Sequence, residues 1–514
     1  MKKFSKYGVV LLFAVILIIG LAVYDDYGMS SDEVIQRVHV IVSYRWVNQT
    51  LFGRNCFKPY AMYGDLQDFT DRYYGVAIQI PPLFVEDIYQ HVTRTEMPFG
   101  MVYRMLHLYT FLIYFGGLVC FYLLLRNLSG QRRAGVIGVL AVFTFGRFFA
   151  QSFYNLKDIA FAALMMAALC LTERVLRDGY KVKWCLLLAV CSAFLVSVRI
   201  VGAIVPLFTL ICALVDRKNS HKVRTALLIL CAYPIWLLIT PASWTDPIGF
   251  SYACALKFSD FSDWNGSIAF AGEMLTKEQV PGDYFLRWIC ITVPIVWLVL
   301  GAAGIVLFLI RRGDGFRVRL LALLLLVFTL GYQAVFRPTV YNGWRHAFYL
   351  YPLIILFAVD AVLAPRGKTA RTLMYAAVTV CIVYNGVMTA VNHPKQYEAL
   401  NPIGERVGAD YERDYWYLSF YDALQWVTEN DSSEEITLDL EDKAAAWILE
   451  SNMQMLPDSA ASRIAYRPDE GEYLLLSYTK HPGESEITLD GYEAVHTVSA
   501  YGIELTTVYR KVEE

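Results

Sequence analysis

The chain alternates long apolar runs with short polar loops, and many of the runs have the length of membrane spans. A spanning helix needs roughly 20 predominantly apolar residues, with a range of about 17–25. About eleven segments meet that criterion. They centre near Ile16, Tyr114, Leu140, Met166, Val190, Pro206, Tyr233, Trp297, Leu326, Ile355 and Val380. The fifth and sixth run together from Trp184 to Val215, with Arg199 in the middle. That stretch is too long for one untilted span and reads as two helices.

The polar positions set an orientation. Lys2, Lys3 and Lys6 precede the first segment. Basic clusters follow the second (Arg126, Arg132, Arg133), fourth (Arg174, Arg177, Lys181, Lys183) and sixth (Arg217, Lys218, Lys222, Arg224). The same holds for the eighth (Arg311, Arg312, Arg317, Arg319) and tenth (Arg366, Lys368, Arg371). Lys and Arg collect in short cytoplasmic loops, so the N-terminus is expected inside, the alternate loops outside and the C-terminus outside. Counting Trp184–Val215 as one span would invert every later loop. The first segment has the basic start of a signal peptide, but YDDYGMSS follows it in place of a small-residue cleavage site. A signal-anchor is expected.

Three large pieces then face outward: 25–99, 242–286 and the tail. In the first, EVIQRVHVIVSYRWV places Val34, Val38, Ile41, Val42 and Trp46 at helical spacing, which predicts an amphipathic helix along the membrane surface. In the tail, YDALQWVTEN and EDKAAAWILESN read as helices, and EITLDL, YLLLSY and the run Tyr492 to Tyr509 read as strands. The expected fold is an α-helical polytopic membrane domain over 1–392 and an extracytoplasmic α/β domain over 393–514.

Composition agrees. The 514 residues are 56% hydrophobic and 18% charged, with mean hydropathy +0.41, against roughly 45–50% and 25% in soluble domains. A net charge of −2 argues against a nucleic-acid partner. The 10 cysteines show no zinc-type spacing. Cys56 and Cys254 lie in polar stretches, and a disulfide between them is not the favoured reading. No internal repeat marks the chain as a transporter.

Candidate chemistry clusters at the outer ends of the spans. Asp32 and Glu33 open the amphipathic helix, where a dipole favours acids and where Ser30, Ser31 and Asp32 would serve equally well as a plain cap. Lys157 and Asp158 open the fourth span, as a functional pair or an interface anchor. Arg199 sits between two spans; an Arg in hydrocarbon costs roughly 2.5–3.5 kcal/mol on insertion scales and usually faces a partner or cavity. Pairing with Asp158 and binding an anion are both open. Arg337, Arg345 and His346 lie in FRPTVYNGWRHAFYLYP, where two outside arginines run against the positive-inside bias and suit a lipid phosphate. Carboxylates beside cations at a membrane surface suit chemistry on such a phosphate: the acid takes a proton from an incoming hydroxyl, and the cations stabilise the leaving group.

Five stretches together resemble the GT-C superfamily of membrane glycosyltransferases, in particular bacterial relatives of the protein O-mannosyltransferase and aminoarabinose transferase branch (glycosyltransferase family 39-like). They are Ser31-Asp32-Glu33, Asn155-Leu156-Lys157-Asp158, the segment Asp246 to Glu273, Gly343 to Pro352, and NHPKQYEALNP with ERDYWYLSFYDALQW. They occur in the expected order over most of the chain. Two departures stand out. Leu156 and Ala160 replace prolines of the usual Asn-Pro-Lys-Asp-Ile-Pro, and Pro281-Gly282-Asp283 stands where an aromatic is usual. The resemblance implies a GT-C helical core of about eleven transmembrane helices, N-terminus in and C-terminus out, in the cytoplasmic membrane. It implies a sugar donor on a polyprenyl phosphate and an acceptor that is protein, lipid or glycan. It implies Asp32 as catalytic base, Glu33 in support, Asp158 as a second acid, and Lys157, Arg199, Arg345 and His346 on the donor phosphate. No cofactor and no metal are expected. The rival reading is a polytopic transporter or lipid flippase.

Overall fold

A computed structural model of the chain describes residues 2–259, 264–311, 313 and 315–512. Arg312, from the basic cluster after the eighth apolar segment, and residues 260–263, within the stretch Asp246 to Glu273, lie outside the described residues.

The helical part runs α1 (Lys2–Val23), α2 (Ser31–Phe52), α3 (Ile80–Thr93), α4 (Phe99–Ser129), α5 (Arg132–Phe143), α6 (Gly146–Tyr154), α7 (Leu156–Arg177), α8 (Val182–Val198) and α9 (Ile204–Val215). It continues with α10 (Lys222–Leu230), α11 (Ala232–Leu238), α12 (Pro247–Ser259), the hairpin β1 (Ser267–Phe270) and β2 (Glu273–Thr276), α13 (Tyr284–Thr292), α14 (Ile295–Ile310), α15 (Phe316–Phe336), α16 (Leu350–Leu363) and α17 (Lys368–Val391). Every expected apolar centre falls on one of these helices.

Among the described residues, five helices are long and apolar enough to cross a membrane: α1, α4, α7, α15 and α17. A sixth arises if α5 and α6 are taken together, across a 72° bend. Thr144, at that bend, returns its hydroxyl to the Leu140 carbonyl at 2.8 Å, a bond that competes with the helix ladder. The segments on α8, α9, α14 and α16 are shorter apolar helices, and the one centred on Tyr233 is divided into α10 and α11. Length and composition alone thus give five or six spans where about eleven segments were expected. The expected break within Trp184–Val215 is present, and its hinge is Arg199, extended at φ −149°, ψ 129°.

The bundle is held by close helix contacts. A Cβ on Gly304 of α14 would stand 1.9 Å from the Phe357 carbonyl oxygen of α16, and one on Gly117 of α4 would stand 2.7 Å from Ala163 of α7. Small residues at such crossings let backbones approach where hydrophobic burial gives no net drive between helices. The helix α2, expected along the membrane surface, packs on protein over much of its length. Val40, Ile41 and Tyr44 sit among Phe57, Val76 and Leu83, and Val42 among Leu66, Ala193 and Trp236.

The C-terminal part is α/β: α18 (Ser419–Asn430), β3 (Ile436–Leu440), α19 (Ala446–Met453), α20 (Asp458–Ala461), β4 (Ile464–Tyr466), β5 (Tyr473–Ser477), β6 (Tyr492–Ala500) and β7 (Ile503–Lys511). The strands form one sheet in the order β4-β3-β5-β7-β6. β3 pairs parallel with β4 and β5; β7 pairs antiparallel with β5 and β6. Its core of Phe420, Leu424, Ile436, Leu438, Ile448, Leu475 and Val508 also takes in Met29, Met97, Val102 and Tyr103 from the helical part. Cys56 and Cys254 are separate, unpaired thiols.

Candidate active site

The acidic pair at the start of α2 diverges. Ser30, extended at φ −81°, precedes the helix. Its N–H and hydroxyl both donate to Glu33 Oε2, at 2.8 and 3.0 Å, in the reciprocal pattern of a capping box. The other oxygen, Oε1, lies 3.1 Å from His107 Nε2, and His107 Nδ1 lies 3.2 Å from the Tyr24 carbonyl. Glu33 is therefore turned into the protein, where it fixes the helix start. Asp32 turns the other way and accepts from Arg345 Nη1 at 2.7 Å.

Arg345 ties this helix to α7. The same Nη1 reaches Asp158 Oδ2 at 3.2 Å, and Arg199 donates through Nη2 to Asp158 Oδ1. Asn155 caps α7, accepting from the Asp158 N–H at 3.1 Å and donating to its Oδ2 at 3.1 Å. Asp158 is buried among these partners, so its place is that of an anchor for two arginines. Among the described residues, the Nε–H groups of Arg199 and Arg345 have no hydrogen-bond partner. Both guanidiniums thus keep donor capacity beyond their carboxylate contacts.

Neighbouring residues on a helix point about 100° apart, and while Asp158 turns inward, Lys157 turns to the adjoining cavity. Its Nζ lies 3.3 Å from the centroid of the Tyr74 ring, and among the described residues no carboxylate stands within ion-pair distance of it. Arg345 lies 4.8 Å from the Tyr341 ring and 5.2 Å from that of Trp416. Such rings hold a cation without neutralising it. His346 packs edge-on to Tyr341 at 5.0 Å. Burial pushes its imidazole well below the usual histidine range, helped by the Arg199 and Arg345 cations.

One cavity of about 480 Å³ brings together Asp32, Lys157, Arg199, Arg345 and His346. Ile204, Phe328, Tyr332 and Val340 form an apolar wall along it. Asp158 stands behind the arginines, and Glu33 faces away. Tyr74 and Trp416 hold cations here and were not singled out from the sequence; Trp416 lay in a quoted stretch, while Tyr74 carried no pattern. Among the described residues no three His, Cys, Asp or Glu side chains converge as metal ligands.

The loop carrying Arg345 rests on a second buried acid. Glu412 Oε2 accepts from the Gly343 N–H at 3.2 Å, and burial pushes its carboxyl up from an ordinary 4.5 to about 8. An acid raised on folding stabilises the fold below its unfolded pKa and loses that contribution as pH rises through the folded one. The melting midpoint of the wild type is therefore expected to fall between about pH 5 and 8 relative to Glu412→Gln, whose profile is flatter. Parallel melting curves for the two proteins across that window would contradict this.

No protein-family model matches the sequence, and no curated protein matches it. Solved structures do. The chain is similar to the apo oligosaccharyltransferase of Archaeoglobus fulgidus, with TM-score 0.50 at 13% identity over 89% of this chain. It spans 64% of the length of that enzyme. It is similar also to the A. fulgidus oligosaccharyltransferase AglB in complex with an inhibitory peptide and a dolichol-phosphate (TM-score 0.48, 12% identity, 91% of this chain and 69% of that one). A third is ArnT from Cupriavidus metallidurans bound to undecaprenyl phosphate (TM-score 0.48, 13% identity, 98% of each chain). At these identities the likeness is one of fold: the chain has the GT-C fold.

Proposed function

We propose that the chain is an integral-membrane glycosyltransferase that moves a sugar from a polyprenyl-phosphate donor to an acceptor at the outer face of the cytoplasmic membrane. The observation that carries this reading is the single cavity joining one carboxylate, Asp32, to three cations beside an apolar wall. The wall suits a polyprenyl chain and the cations suit its phosphate.

The reaction is one displacement at the anomeric carbon. Asp32 takes the proton of the acceptor hydroxyl or amine as that atom bonds to the sugar. The bond from the sugar to the phosphate oxygen breaks, its electron pair leaves with the polyprenyl phosphate, and the three cations stabilise the charge. Glu33 keeps α2 capped, and Asp158 keeps Arg199 and Arg345 aimed. No cofactor or metal enters. The outer face is supported by α7: the site lies at its start, and Arg174 and Arg177 lie at its end, about 30 Å away by helix rise. The positive-inside rule puts that end in the cytoplasm.

The test is turnover in reconstituted vesicles. Radiolabelled polyprenyl-phosphate sugars are offered in a panel, with a membrane extract as acceptor and a strong chelator present. The expected result is consumption of one donor, with label in the acceptor fraction, whose nature (protein, lipid or glycan) names the acceptor class. Donor that crosses the bilayer unconsumed would sink the transferase reading in favour of a flippase.

A further inference from the structure

The residues just before the base, Tyr27 to Ser30, form no regular element. Their backbone donors and acceptors must find partners elsewhere. Met29 is fully buried and finds both in one side chain of the C-terminal domain. Asn452, on α19 and itself 0% exposed, accepts from the Met29 N–H at 2.9 Å and donates to the Met29 carbonyl at 3.2 Å. It is held in turn by the Ile448 carbonyl at 3.0 Å. Two residues on, the Ser31 N–H donates to the carbonyl of Trp416 at 3.3 Å, the residue whose ring lies against Arg345. Gly28 closes the seam: a Cβ there would stand 2.4 Å from Tyr421 Cβ and 2.6 Å from Asn452 Oδ1. On the other side, Glu33 holds the first turn of α2 through the Ser30 N–H and hydroxyl.

We infer that the C-terminal domain frames the active site, with Asn452 as a positioning residue that fixes Asp32 against Arg345 through the backbone of Met29. This rests on the proposed role of Asp32. The physical reason is geometric. Asp32 stands in the first helical turn, three residues from the clamp, so a shift of residues 28–31 moves its carboxylate directly. A displacement of about 1 Å in a reacting group can reduce a rate by about 10²-fold. The donor's cations stand on α7, at the α8–α9 break and on the 337–349 loop, none of which Asn452 touches. Losing the clamp therefore lowers kcat and leaves donor affinity as it was.

The experiment compares full-length wild type with Asn452→Ala, Asn452→Asp and Gly28→Ala in vesicles. Three quantities are read: steady-state transfer, binding of undecaprenyl phosphate as a donor probe, and hydrogen exchange over residues 27–34 without any donor. Asn452→Ala is expected to lose roughly 10²-fold in kcat, with KM for the sugar donor and probe binding unchanged and with faster exchange at the Met29 and Ser31 amides. Asn452→Asp sets a carboxyl oxygen against the Met29 and Ile448 carbonyls in place of the N–H donor, so it gives at least the Asn452→Ala loss. Gly28→Ala wedges the seam from its other side and gives the Asn452→Ala pattern with Asn452 intact. Unchanged kcat, or a kcat loss accompanied by lost probe binding and faster exchange throughout the chain, overturns the inference. Wild-type protein that turns over no donor sinks the transferase reading itself. The exchange comparison still stands alone, and equal exchange at Met29 and Ser31 in wild type and Asn452→Ala removes the clamp.

Discussion

Asp32→Asn is expected to lose about 10²–10⁴-fold in sugar transfer, the usual worth of a general base, while still folding and still binding undecaprenyl phosphate. The amide has the shape of the carboxylate and can still accept from Arg345 Nη1, which Asp32 does at 2.7 Å, but it cannot take a proton. The helix start survives because its cap is made by Ser30 and Glu33, not by Asp32. Transfer in vesicles, normalised to folded protein, is the measurement. Equal rates in the two proteins would return the Ser30-Ser31-Asp32 stretch to a role in helix geometry alone.

Arg345→Met is expected to remove transfer and destabilise the fold together. Arg345 is 3% exposed and bridges Asp32 and Asp158, and taking away one partner of a buried ion pair costs about 3–5 kcal/mol because charge is left buried and uncompensated. Lysine will not rescue it: an ammonium lacks the planar face that lies against Tyr341 and Trp416. Thermal melting in detergent with parallel transfer assays reads both effects. A variant that melts as the wild type does would show that the acids relax into other contacts, and undiminished transfer would remove Arg345 from the phosphate site.

Elements whose cause is local were legible in the sequence. The apolar centres fall on helices because a run of apolar residues declares itself without its neighbours. The YDALQWVTEN, EDKAAAWILESN, EITLDL and YLLLSY stretches became α18, α19, β3 and β5 because their periodicities differ. The break at Arg199 was legible because a charge in a long apolar stretch has few other places to go. What needed a distant partner was not. The spacing of Val38, Ile41 and Val42 could not say whether lipid or protein would cover α2. Which partners Asp32 and Glu33 turn toward depends on distant residues: Arg345 lies 313 positions away, and His107, beside Glu33, lies inside an apolar run and looks like one more core position. The three-residue β4 is too short to show a period, and the β1–β2 hairpin was likewise not anticipated. Asn452 carries no signal at all, since its role consists in a backbone 423 residues away.

That separation gives the chain a schedule. At about 5–20 residues per second, Met29 waits roughly 20–85 s between its own synthesis and that of Asn452. The core it shares with Val508 closes later still. Until then the segment ahead of Asp32 lacks the Asn452 side chain that pairs with the Met29 backbone. A chain halted before Asn452 carries all the residues that line the cavity but not the side chain that holds Met29.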